Sequence, residues 1–164
     1  EQNRSQWDQP LIARGFYHLM QSTAGDEASE YHLQAAIIAC HCAAQDYEST
    51  DWSRILSLYD RLIEIDDSPV VALNRAVAVA TVHGPRAGIE AIEAIHKRDQ
   101  LSSYYLLYAT LGEFQARLDN CQAAANYFRQ ALELVTIESE QTFLTKKLRE
   151  LENCQKISRT QAAR

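Results

Sequence analysis

Cys40, His41 and Cys42 are the residues in this 164-residue chain whose types come nearest to a metal site, because thiolates and an imidazole are the donors zinc prefers. Their spacing argues against it. Consecutive residues of a helix diverge by about 100°, so three in a row cannot converge on one tetrahedral ion, and they read as core cysteines beside a polar histidine. His18, His32, His83 and His96 are scattered and form no HExxH pair. No GxSxG, GxxxxGK or GxGxxG occurs, so the usual nucleophile elbow and phosphate loops are missing. Asp66 and Asp67 form a carboxylate pair, but they precede Pro69 at a helix end, where turn and capping duty outweighs acid–base work. These residues predict no enzyme, no metal and no cofactor.

Polar groups suited to gripping a partner are a better match. Asn74 and Arg75 are adjacent and could hold a backbone amide or a carboxylate. Glu113 and Arg117 stand four apart as an ion pair would on one helix, and Gln34 and His41 share a helix face. Gln34, His41, Asn74, Arg75, Glu113 and Arg117 are therefore the candidate lining of a partner groove.

Helices must position them. Five Gly and three Pro leave little material for turn-dense β-structure. Asp8 is placed to cap a first helix that runs to about Ser22, where Gly25 and Asp26 end it. Ser29 caps a second helix with the stripe Tyr31, Leu33, Ala36, Ile37 and Cys40, reaching about Ala44. After the loop DYEST, Thr50 or Asp51 opens a third helix bearing Trp52, Ile55, Leu56, Tyr59, Leu62 and Ile63. The segment from Ser68 to Gly84 alternates in part like a strand, but Ser68 as cap, Pro69 in the first turn and Gly84 at the stop favour a buried helix. Pro85 opens a fifth helix closing near Lys97, Ser102 or Ser103 a sixth, Asn120 a seventh, and an eighth runs from Ile137 to about Asn153. Residues 1–153 thus read as one helical domain and 154–164 as a basic flexible tail.

Charge limits the partners. Sixteen Lys and Arg against 22 Asp and Glu give −6. Six cations, Lys146, Lys147, Arg149, Lys156, Arg159 and Arg164, lie beyond residue 145 against Glu150 and Glu152, so the body is more acidic than the whole. Such a body is ill suited to phosphate, and direct nucleic-acid contact is not expected. No run is apolar enough to cross a bilayer, and unpaired cysteines suit a reducing, cytoplasmic setting. The first residue is Glu1 rather than Met, which reads as a segment of a longer protein.

A repeat underlies the helices. From Tyr105 onward, Tyr108, Leu111, Gly112, Ala124, Phe128 and Ala131 occupy the signature positions of a tetratricopeptide repeat, with Thr136 where the pattern has Pro. Looser hairpins begin near Tyr31 and Pro69, roughly 38 and 36 residues apart along the series against 34 in the ideal repeat. The expected fold is all-α, a right-handed helical-hairpin solenoid of about eight helices.

Seven strings in order carry a more specific resemblance: RSQWD at 4–8, YHLQAAIIACH at 31–41, TDW at 50–52, LYDRL at 58–62, PVVALNRAVAV at 69–79, GPRAG at 84–88 and TFLTKKL at 142–148. Together they resemble the C-terminal tetratricopeptide-like extension of one group of extracytoplasmic-function RNA polymerase sigma factors. That resemblance implies a bacterial, cytoplasmic, regulatory protein-interaction domain whose promoter-reading domains lie upstream of Glu1. Its partners would be its own sigma domains, core RNA polymerase or a regulator. A free-standing tetratricopeptide adaptor for a partner peptide is the alternative from the repeat alone.

Overall fold

Capping and periodicity place the helices. The computed structural model describes residues 3–22 and 29–162, with side chains through Glu152. Among the described residues there is no strand, and eight α-helices run Gln9–Ser22 (α1), Glu30–Ala43 (α2), Trp52–Ile65 (α3), Pro69–His83 (α4), Pro85–Glu93 (α5), Tyr105–Arg117 (α6), Cys121–Leu134 (α7) and Glu138–Ala162 (α8). The fold is all-α and built from helical hairpins, as the sequence predicts. Asp8 caps α1 by accepting from the Leu11 N–H at 2.9 Å, and Asp51 caps α3 through the Arg54 N–H at 2.9 Å. At the start of α2, His32 Nδ1 accepts from the Ser29 N–H at 3.2 Å while Nε2 reaches the Ser22 carbonyl at 3.1 Å. That ring ties the end of α1 to the start of α2. Gly25 and Asp26, expected to end α1, lie outside the described residues.

Three boundaries and one burial differ from the sequence reading. Helix α5 stops at Glu93 rather than near Lys97, because Lys97 is in the left-handed conformation (φ 60°) and starts a short 3-10 turn, Arg98–Leu101. Ser102 closes that turn through its N–H to the Asp99 carbonyl, and α6 starts at Tyr105 with Tyr104 as its N-cap. Ile95 and Leu101 are buried, which fixes this connection to the core. Helix α8 continues to Ala162, past the expected end at Asn153, and its backbone includes most of the segment read as a tail. Tyr31, assigned to the buried stripe of α2, is 74% exposed, while Leu33 and Ile37 are buried.

The chain divides into two units, 1–78 and 79–164, with the division inside α4. In the first, α1 packs on α2 and α2 on α3. Ile55, Leu56, Leu58 and Leu62 form the buried face of α3. In the second, α5 packs on α6, α6 on α7 and α7 on α8.

Close approach in the second unit depends on small residues. A Cβ at Gly112 would stand 3.0 Å from the Phe128 ring, so the glycine is the flat on which that ring lies. Ala124, Ala131, Val135 and Leu144 complete the cluster around Phe128, with Tyr105 and Tyr108 packed against it. Gly88 in α5 is tighter still: a Cβ there would meet the Ala80 Cβ at 2.4 Å and Phe114 at 2.7 Å. Gly15 in α1 has open space instead.

These environments separate three substitutions. Phe128→Ala should cost about 3 to 5 kcal/mol of unfolding free energy. Gly88→Ala should cost about 1 to 3 kcal/mol through overpacking, whereas Gly15→Ala should stabilise by up to about 1 kcal/mol through helix propensity. Urea unfolding of the three variants checks the order, and a neutral Gly88→Ala would refute the close approach.

Candidate functional site

A helix ends with carbonyls that have no partner inside it, and α2 needs an outside donor for them. Arg4 supplies it from the 3-10 turn that precedes α1. Its Nη1 donates to the carbonyls of His41 at 3.0 Å, Ala44 at 3.3 Å and Asp46 at 2.7 Å, and to Thr50 Oγ1 at 3.0 Å. A cation at a helix C-terminus also meets the negative end of the helix dipole. Thr50, buried at 5% exposure, is satisfied because its hydroxyl donates onward to the Asp46 carbonyl at 2.8 Å.

Aromatic rings surround this knot. The Arg4 guanidinium lies 5.5 Å from the Trp7 ring, His41 meets Trp52 edge-on at 5.3 Å, and Tyr47 lies 4.9 Å from Trp52. Trp52 Nε1 donates to the Tyr47 carbonyl at 3.2 Å, closing the α2–α3 loop. Hydrogen bonds from Ser49 hold the Asp46 carboxyl below the usual carboxylate range. Burial, with the Arg4 charge second, holds the His41 imidazole below its ordinary 6.5. A cleft of about 410 Å³ opens beside the knot, lined by Asn3, Arg4, Trp7, His41, Gln45, Asp46 and Tyr47.

On the adjoining seam the surface is apolar. Ile12, Gly15, Phe16 and Leu19 of α1 face Ala35, Ile38, Ala39 and Cys42 of α2 across a groove of about 200 Å³. No residue of α1 is buried. Cys40 and Cys42 are half-buried rather than core residues, and burial pushes the Cys40 thiol up, partly offset by Arg54. Among the described residues no three His, Cys, Asp or Glu side chains gather where a metal ion could bind. The arrangement offers binding by shape and apolar contact.

Five of the six residues expected to line a groove make contacts within the chain. Arg75 is held by Asp60, with both Nε and Nη2 at 2.7 Å from Oδ1, so the cation meant to grip a partner already has a carboxylate. Asn74 is exposed. Gln34 is exposed and donates to Glu30 at 3.4 Å. His41 belongs to the Arg4 knot. Glu113 pairs with Lys147 at 3.0 Å, and Arg117 donates to the Ala80 carbonyl at 3.3 Å, which replaces the expected pairing of these two. Gln34, His41, Asn74 and Arg75 lie in the first unit, Glu113 and Arg117 in the second. Arg4 was missed because its partners are 37 to 46 residues away, beyond any local period. Its one sequence signal is its place in RSQWD.

No family model matches the chain. A protein of Rhizobium meliloti (strain 1021), named only as uncharacterized, is 34% identical over 148 residues, which cover 90% of this chain and 34% of the relative. The chain thus spans about a third of the length of the curated relative it matches. Among the described residues no helix is long and apolar enough to cross a membrane.

Two measurements follow from the site. Arg4→Ala should lower stability by about 1 to 3 kcal/mol, the usual range for charge-assisted bonds whose acceptors are left behind, whereas Arg75→Ala, at a half-exposed pair screened by water, should cost less than about 1 kcal/mol. Equal effects in urea unfolding would refute the knot as the stronger tie. Because folding depresses the His41 pKa, the unfolded chain binds the proton more tightly and stability falls as pH drops below about 6.5. His41→Asn should flatten that part of the thermal-midpoint profile, and an unchanged slope would remove His41 from it.

Proposed function

We propose that this chain is a regulatory protein-interaction domain of a bacterial extracytoplasmic-function sigma factor, acting in the cytoplasm on transcription initiation through contacts with its own sigma domains, core polymerase or a regulator. The observation that carries the reading is the ordered set of seven strings. Five of them meet in space: RSQWD, YHLQAAIIACH and TDW join at Arg4, His41, Thr50 and Trp52, while LYDRL and PVVALNRAVAV join through Asp60 and Arg75. Residues that hold one another explain why such strings would occur together, and their agreement with an all-α hairpin fold supports a shared architecture. The match to about a third of a longer relative fits a domain that works within a larger protein. A free-standing tetratricopeptide adaptor for a partner peptide is the second reading, which the helical-hairpin fold supports equally.

In this reading promoter recognition belongs to other domains of the parent protein, and this segment alters what the polymerase does next. Deleting residues 1–164 from the parent should change run-off transcription at the target promoter several-fold while promoter binding in a shift assay persists. Unchanged transcription would overturn the reading. The isolated chain should show no sequence-selective duplex binding, since its body opposes phosphate.

A further inference from the structure

Away from the apolar seam, the cleft beside the Arg4 knot sets a cation next to an anion without pairing them. We infer that it binds a free aromatic α-amino acid, with Arg4 taking the carboxylate and Asp46 the ammonium. Arg4 spends only one edge on hydrogen bonds within the fold. All four of them leave from Nη1, while the edge formed by Nε and Nη2 donates to none of the described residues. That edge is the part of a guanidinium that grips a planar carboxylate through two parallel bonds. Asp46 lies against the same group, since its carbonyl accepts from Nη1 at 2.7 Å, yet its carboxylate forms no ion pair with Arg4. The Ser49 N–H, 2.7 Å from Oδ1, holds that carboxylate in a local turn instead. The Ser49 bonds first, and the Arg4 charge last, keep it below the usual carboxylate range, so it is ionised at neutral pH.

Opposite charges set side by side match the ammonium and carboxylate of an α-amino acid, which share a single carbon. A simple anion would be repelled by Asp46 and a simple cation by Arg4, whereas a zwitterion is attracted by both. The rings of Trp7, His41 and Tyr47 line the same cleft and offer a flat side chain aromatic faces and edges. Burial, with the Arg4 charge second, holds His41 below its ordinary range, so at neutral pH this ring adds no second cation. A volume of about 410 Å³ is at the small end of ligand pockets, which suits one amino acid rather than a longer peptide. A neighbouring cleft of about 320 Å³ shares Arg4, Trp7 and Gln45 but is lined by no acidic residue, so it has no partner for the ammonium. The site lies within the first unit and does not depend on which larger protein carries the domain.

Titration of the intact 164-residue chain with L-phenylalanine, followed through the indole N–H resonances of Trp7 and Trp52 by nuclear magnetic resonance, tests this. The Trp7 resonance should shift and saturate with a Kd between about 10 µM and 1 mM, the range open to so small a ligand. Hydrocinnamate, which lacks the ammonium, and phenethylamine, which lacks the carboxylate, should each bind at least about tenfold more weakly. Arg4→Lys keeps a cation for the carbonyls of α2 but removes the free edge, and should weaken L-phenylalanine at least about tenfold. Asp46→Asn keeps an acceptor for the Ser49 N–H, and it should weaken L-phenylalanine without weakening hydrocinnamate, which separates a lost ammonium contact from a lost fold. Should Arg4→Lys fail to fold, Asp46→Asn decides. A Trp7 resonance that stays in place up to about 10 mM L-phenylalanine would overturn the inference. Hydrocinnamate binding as tightly as L-phenylalanine, or L-phenylalanine indifferent to Asp46→Asn, would overturn it as well.

Discussion

Two helices reach contact distance only where one of them gives up side-chain volume, and the second unit is organised around that constraint. Gly112 lets the Phe128 ring lie flat against α6, and Gly88 lets α5 come within reach of Ala80 and Phe114. With alanines at 124 and 131 on its own helix, the large ring has small neighbours on several sides, which is how a helical hairpin fills its interior at protein density. Leu144 then joins the same cluster from α8, so the last helix is fixed by the same ring. The repeat signature is therefore a statement about volume. Its positions are those at which size is dictated by the helix opposite.

The first unit solves a different problem. Its helices α2 and α3 are joined by an eight-residue connection whose backbone carbonyls need donors, and apolar packing cannot provide them. One guanidinium, brought from the start of the chain, meets several at once, while Thr50 and Trp52 secure the remainder. The cost of this solution is that Arg4 and His41 are committed to structure. Arg75, on α4, is committed likewise by Asp60. Most of the polar residues that looked suited to a partner make contacts within the chain, whereas Asn74 stays exposed and the seam of α1 and α2 is apolar.

The sequence by itself determined the helices, because their signals are local. Caps at Asp8, Ser29 and Asp51, Pro69 and Pro85 in first turns and the 3.6-residue stripes act within a few residues, and every one of the eight helices was legible from them. Gly112 with Phe128 was legible too, since a repeat motif encodes a contact between neighbouring helices in a fixed spacing. Local signals failed where local rules conflict: Ser102 could cap a helix or close a turn, and Lys97 gave no sign that it would adopt a left-handed conformation.

Only the tertiary structure decided which polar groups are spoken for. Helical spacing places Glu113 and Arg117 within reach of each other, yet Lys147 and the Ala80 carbonyl, 34 and 37 residues away, take them. Spacing likewise says that Arg75 lies on a helix surface without saying that Asp60 faces it, and it assigns Tyr31 to a stripe without saying whether a neighbour covers that stripe. A charged side chain has a long reach and several acceptors to choose from, so its partner is set by whichever elements the fold brings alongside. Burial of a helix face is fixed by periodicity as a direction, and only the packing of the next element decides whether that direction leads into a core or into solvent.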